Sequence, residues 1–330
     1  DTVIQTVIGS DDYGEKIKKE FASVGVNTSY VETSYEKETS LSFILVNKKS
    51  GARTVFNVAG EQMPLKKYQY DFTPDIIYTD GHDYGAAQNA MTKFPNALRI
   101  LDAGRPTQEL LELCKYMTHI VCSKEFAETV GGVQINYENP NTLVQLYTKL
   151  KAKFPNANIV VTLEEKGALY VAENQVKIMP GLKVEAKDTT GAGDIFHGAF
   201  TYGLANNFDM EKTITFANIA AGLSVKTVGS RLSVPPLSEV LDYYTRKMTP
   251  TQTADGASNN GGGAPQQGVQ GQVASQGNVA QQVPNSGATQ GQAMTQNQGQ
   301  TSTQNPAQAG QNNTVEQPPV ANGQQNANNQ

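Results

Sequence analysis

Four short apolar runs constrain this chain most. Asp75-Ile76-Ile77-Tyr78-Thr79, Leu98-Arg99-Ile100-Leu101, His119-Ile120-Val121-Cys122 and Asn158-Ile159-Val160-Val161-Thr162-Leu163 are too short for packed helices, and each reads as a buried strand. The first two enter turns that bear a carboxylate, Asp80-Gly81-His82 and Asp102-Ala103-Gly104-Arg105. An open α/β sheet places its ligand-facing loops in this way. A helix is predicted from Thr107 to Met117, between the second and third runs, so the fold class is α/β.

The chemistry concentrates further on, in Asp188-Thr189-Thr190-Gly191-Ala192-Gly193-Asp194 followed by Ile195-Phe196-His197-Gly198-Ala199-Phe200. Two glycines around an alanine let the backbone bend tightly and present successive N–H groups where a helix begins. Those amides and the positive end of the helix dipole favour an anion. Asp194 is a carboxylate beside that positive corner, suited to taking a proton from an attacking hydroxyl. Taken alone, the same glycines equally describe a tight α/β turn with no ligand.

The whole stretch resembles the most diagnostic motif of the PfkB, or ribokinase-like, family of carbohydrate kinases, and the resemblance runs in the family's order to about Met248. It implies a three-layer α/β/α sandwich with a small β lid. It also implies that Asp194 is the catalytic base and that Gly191, Ala192 and Gly193 form the anion hole for the transferred γ-phosphoryl. Nucleotide contacts are implied at Thr162 and Gly167, and at Asn218, Ala221 and Gly229 on the helix and loop that wall the adenine. The small residues of that helix, Ala217, Ala220, Ala221 and Gly222, are open to a core-packing reading too.

Two motifs depart from the family pattern. Where members carry N-x-x-E, which helps place magnesium through water, this chain has Ser123-Lys124-Glu125-Phe126-Ala127-Glu128. Glu125 or Glu128 is the candidate helper, the alternative being a solvated helix face; magnesium is expected to arrive with ATP. Glu164 stands where the family's nucleotide-lining Thr-x-Gly has its glycine. In members activated by a monovalent cation, the ligands come from positions matching Asp188, Thr190, Ser224, Thr227, Gly229 and Ser233, which makes these the candidate potassium ligands.

The chain opens without Met on Thr2–Ile8, a predicted strand ending in Gly9-Ser10-Asp11-Asp12-Tyr13-Gly14. In the resembled family this loop follows an earlier strand and a sugar-holding Gly-Gly…Asn segment, so the chain is expected to be N-terminally incomplete. Glu15 to Val24 is amphipathic, with Gly25 placed to end it. The runs 39–46 and 53–58, joined by Asn47-Lys48-Lys49-Ser50-Gly51, predict a hairpin. The resemblance assigns strands of about 30–60 to the lid and homodimerisation to that lid; a plain sheet edge is the alternative. Asp80-Gly81-His82 leans toward the fructokinase and ketohexokinase side.

Composition divides the chain. From Thr249 onward it is Gln, Asn, Gly, Ser, Thr, Ala and Pro with few others, no aromatic residue, and Asp255 and Glu316 as the only charges. Such a segment cannot bury enough apolar surface to offset its ordering entropy, so a kinase domain at 1–248 and a disordered tail at 249–330 are expected. A net charge of −5 without a basic cluster argues against nucleic acid and anionic membrane as partners. Two cysteines, Cys114 and Cys122, fit a reduced cytosolic setting, and no run reaches the ~20 apolar residues of a membrane span. The sequons at Asn27 and Asn312 are then incidental. None of the three histidines, His82, His119 and His197, has metal-ligand spacing.

The leading expectation is ATP-dependent phosphorylation of a sugar hydroxyl by a cytoplasmic enzyme. The alternatives are a nucleoside kinase of the same family and a non-catalytic nucleotide-binding scaffold. A Rossmann dehydrogenase is disfavoured, since no G-x-G-x-x-G follows an early strand.

Overall fold

The computed structural model describes residues 1–46, 53–58, 63–65 and 69–248. The polar turn at 47–51, the tail at 249–330 and Asn312 lie outside them. The chain begins with β1 (Val3–Gly9), α1 (Asp12–Ser23) and β2 (Asn27–Ser34), with β2 pairing parallel to β1. Asp11 organises this start. Its Oδ1 accepts from the amides of Tyr13 and Gly14, at 3.0 and 2.9 Å, capping α1. Its Oδ2 accepts from Thr39 N at 2.6 Å, and the Thr39 amide is the main cause holding the Asp11 carboxyl below its usual range. The predicted helix start at Glu15 therefore moves back to Asp12. Gly25, at φ +80°, turns the chain toward β2.

The predicted hairpin forms from β3 (Leu41–Val46) and β4 (Arg53–Val58), antiparallel from Leu41↔Val58 to Val46↔Arg53. Phe43, Leu45 and Phe56 on it are exposed. β2 pairs with β1 and not with this hairpin, so the described lid strands are β3 and β4.

The remaining elements are β5 (Ile76–Thr79), α2 (Tyr84–Lys93), β6 (Leu98–Ala103), α3 (Gln108–Cys114), β7 (His119–Ser123), α4 (Lys124–Gly131), α5 (Asn141–Lys153), β8 (Asn158–Thr162), β9 (Ala168–Ala172), β10 (Gln175–Met179), α6 (Ala192–Ala205), α7 (Met210–Ser224) and α8 (Leu237–Met248). All four apolar runs are strands of one six-stranded sheet, ordered β10-β9-β8-β7-β6-β5. β5 to β8 run parallel, and β9 and β10 follow as an antiparallel extension. Val184–Lys187 belongs to neither sheet nor helix.

Period-two alternation sends neighbouring residues of each central strand to opposite faces. Leu101, Ile120 and Val161 pack with Leu113, Phe126, Leu146 and Leu150 from α3, α4 and α5. Ile100, Val121 and Val160 pack with Phe196, Phe200 and Ile214 from α6 and α7. Two cores on one sheet make the three layers, with α8 closing a third cluster against α7. Cys114 and Cys122 are free, buried thiols in α3 and β7. Among the described residues no helix is long and apolar enough to cross a membrane.

His119, at the start of β7, is 6 % exposed. Thr118 Oγ1 sits 2.9 Å from its Nδ1 and Asn158 Nδ2 3.3 Å from its Nε2. The Thr118 hydroxyl donates to Arg99 O, so Nδ1–H donates to Thr118 and the Nε2 lone pair accepts from Asn158. Neutral imidazole is satisfied, and burial holds its pKa down to about 4. The unfolded chain takes up this proton near pH 6.5, where the folded chain does not. Stability is therefore predicted to fall, by up to about 3 kcal/mol from this group, as pH drops from 6.5 toward 4. Urea unfolding of wild type and His119→Gln across that range checks it: the variant should lose less stability on acidification, and parallel losses contradict the assignment.

Candidate active site

Residues 188–194 connect the extended approach from β10 to the start of α6. Asp188 fixes them. Its Oδ1 accepts from Thr190 N and its Oδ2 from Gly229 N, both at 2.9 Å. The amides of Lys187 and Asp188 donate in turn to Val225 O, at 2.7 and 3.1 Å. The turn before α6 is thus sewn to the loop after α7. Gly191 takes φ +80°, and a Cβ there would stand 2.7 Å from the Ser230 Cβ. Glycine is required for both reasons.

The first amides of α6 have no partners within the helix ladder. Ala192 N leans back on Thr189 O at 3.3 Å, while the space a Gly193 Cβ would fill is open. Asp194 is exposed in the first turn of α6, without an ion-pair partner among the described residues. The amide end of α6 and a solvent-facing carboxylate thus stand side by side.

The carboxyl ends of β5 and β6 face the same region. Tyr78 OH donates to Asp102 Oδ2 at 3.2 Å, and Asp102 Oδ1 lies 3.3 Å from His197 Nε2. Burial pushes the Asp102 carboxyl up, the His197 ring works against that, and the charges of Asp194 and Asp80 add to it. Burial, with Asp102, Asp80 and Asp194 as further causes, raises the Tyr78 phenol strongly. Sequence reasoning gave Asp102 a ligand-facing turn but gave His197 no role. The missed signal is parity: Asp102 shares the α6-facing side of β6 with Ile100, and His197 follows Phe196 on the buried face of α6.

The nucleotide candidates divide. Thr162 Oγ1 donates to Cys122 O at 3.2 Å, at the end of β8. Gly167 has φ +100°, and a Cβ there would strike Met179 O, so its backbone is pressed against the end of β10. Asn218 is buried, and its amide holds Met179 O and Pro180 O at 3.1 and 3.3 Å. Ala221 is half-buried on α7. Glu164, at φ +54°, occupies a left-handed backbone position, which explains why glycine suits that place in the pattern.

Of the magnesium candidates, Glu125 is exposed, 3.8 Å from the still more exposed Arg105. The Glu128 Oε1 accepts from Ile135 N at 2.8 Å and is committed to the loop after α4. Of the potassium candidates, Ser224 Oγ donates to Ala221 O and Ser233 Oγ to Ser230 O, at 2.8 and 2.9 Å. Thr227 is exposed, and its amide donates to Ser224 O. Asp188 and Thr190 stand against Gly229 through the clamp. Among the described residues no group of His, Cys, Asp and Glu is placed to hold a metal ion by itself.

Known proteins are similar to this chain in sequence and in fold. The ribokinase of Staphylococcus aureus is 28% identical over 255 residues, covering 73% of this chain and 81% of its own. The deoxyribokinase of Salmonella typhi is 26% identical over 258 residues, covering 73% and 80%. The crystal structure of ribokinase from Thermotoga maritima superposes with a TM-score of 0.62 at 25% identity, covering 74% of this chain and 81% of that one. The ribokinase of Cryptococcus neoformans, solved in complex with ADP, shares the fold with a TM-score of 0.62 at 21% identity, covering 73% and 82%. The model of the pfkB family carbohydrate kinases matches residues 1–237, and the chain belongs to that family.

Proposed function

We propose that this carbohydrate kinase moves the γ-phosphoryl of ATP onto a hydroxyl of a ribose-class sugar, with Asp194 as general base. The observation that carries the reading is the exposed Asp194 carboxylate on the first turn of a helix whose amide end is open. The sugar oxygen attacks phosphorus and its proton passes to Asp194. The bond from phosphorus to the β-phosphate oxygen breaks, and ADP leaves. The amides of the Gly191–Gly193 turn receive the charge on the transferred group. Names of the relatives, ribokinase and deoxyribokinase, favour an aldopentose over the ketose suggested by Asp80-Gly81-His82.

ATP is assigned to the loops after β8 and α7. Thr162, Ala221 and Gly229 line it, while Gly167 and Asn218 hold the backbone behind it. Magnesium neutralises phosphate charge when bound with ATP. Its helper here is Glu125, whose carboxylate is more accessible than that of Glu128. The Asp188 clamp joins Thr190 to Gly229, and a potassium ion is proposed there with Asp188, Thr190, Ser224, Thr227, Gly229 and Ser233 as its ligands. The kinase domain is assigned to residues 1–248, and its setting to the cytoplasm.

ADP release, followed with MgATP over a panel of aldopentoses, deoxyribose, ketoses and nucleosides, tests the reaction. One ribose-class sugar should support turnover, and Asp194→Ala should lower kcat by about 10²–10⁴-fold with ATP binding retained. Undiminished sugar-dependent turnover in Asp194→Ala, or no turnover of the wild type with any acceptor, contradicts the reading. Turnover of a nucleoside instead moves the chain to the nucleoside kinases.

The exposed apolar side chains Phe43, Leu45 and Phe56 support homodimerisation through β3 and β4. Sedimentation should show a dimer that Phe43→Lys and Phe56→Lys dissociate; a wild-type monomer contradicts it.

A further inference from the structure

His197 takes no part in the chemistry just described, yet it lies directly behind the turn that carries it. The ring is buried, 5 % exposed. Its Nδ1 is 2.6 Å from Gly193 O. Its Nε2 is 3.2 Å from Val121 O and 3.3 Å from Asp102 Oδ1. Val121 and Asp102 are register partners across β7 and β6. The two carbonyls accept only, so Nδ1 carries a hydrogen and donates to Gly193 O; a lone pair there would face another lone pair. At Nε2 the proton comes from the ring or from Asp102. Tyr78 OH on β5 faces the same carboxylate, and Asp80 and Asp194 are the other charges bearing on it.

A trans peptide plane points its C=O and N–H in opposite directions. Gly193 lies within α6, so its carbonyl points along the helix and the Asp194 N–H of the same plane points toward the open end; the ring bond at Gly193 O holds that plane in place. We infer that His197 is a positioning residue for the catalytic turn: its Nδ1–H grips the Gly193 carbonyl from within, and its Nε2 anchors that grip to β6 and β7. The inference rests on the proposed role of the 191–194 turn.

Two measurements on the full chain test it. Spectra of protein labelled with ¹⁵N-histidine, with signals assigned through His82→Gln and His119→Gln, should show a slowly exchanging Nδ1–H proton for His197 in wild type and in Asp194→Ala. An unprotonated or freely exchanging Nδ1 overturns the inference. His197→Asn keeps an N–H near the Nδ1 place, whereas His197→Gln moves it to the Nε2 place and leaves Gly193 O without it. With MgATP and the active sugar, His197→Asn, which keeps the grip and loses the Nε2 anchor, should fall less than about tenfold in kcat, while His197→Gln, which loses the grip, should fall about 10–100-fold and clearly further than Asn, with both KM values little changed. Equal turnover of the two variants, or a loss confined to KM, overturns it. Undiminished turnover in Asp194→Ala would instead remove the proposed function, leaving the spectra to judge the grip on Gly193.

Discussion

The site depends on one carboxylate. Asp188 accepts an amide from each of two loops that are distant in sequence, Thr190 on the turn and Gly229 after α7. A charged acceptor makes both bonds stronger than neutral pairs, roughly twofold. The clamp sets where α6 begins, and hence where its unpaired amides and Asp194 stand. Gly191 completes the arrangement, since its left-handed backbone and its closeness to Ser230 leave no room for a side chain. The acidic residue that opens the motif thus serves the geometry, and the one that closes it, Asp194, is left exposed to solvent.

Beneath that turn, the sheet supplies rigidity. Ile100, Val121 and Val160 are at most 1 % exposed and form one surface with Phe196 and Phe200. Burying such side chains contributes roughly 1.5–3 kcal/mol each, so α6 is held against the strands along its length. His197 sits in that apolar contact as a polar exception, satisfied by Gly193 O, Val121 O and Asp102. The helix is therefore anchored twice near its start, from outside through Asp188 and from within through His197.

Much of this was legible in the sequence. Uniform apolar runs announced the central strands, because a strand buried on both faces has no polar side to show. The glycine turn and its helix were legible because the backbone there admits few residue types. Several elements were less so. α2 carries Gly85, Ala86, Ala87 and Ala90, whose small side chains give weak periodicity. β2 carries Asn27, Thr28, Ser29 and Glu32, too polar to announce a strand, and is recognised by its pairing with β1. Asn218 and Gly167 were placed with the nucleotide by resemblance, while the structure gives each a second duty, fixing the chain around Met179 and Pro180. The His197–Asp102 contact joins residues 95 positions apart by number, and only the register of β6 with β7 brings its partners together.

The proposed phosphoryl transfer requires that the first turn of α6 receive an anion. Amide hydrogen exchange over residues 188–196, with and without MgADP, aluminium fluoride and the active sugar, measures that directly. The amides of Ala192, Gly193 and Asp194 should become strongly protected when the phosphoryl mimic is present, with little change from sugar alone. Unchanged exchange at these three amides, with protection appearing elsewhere in the domain, would contradict it.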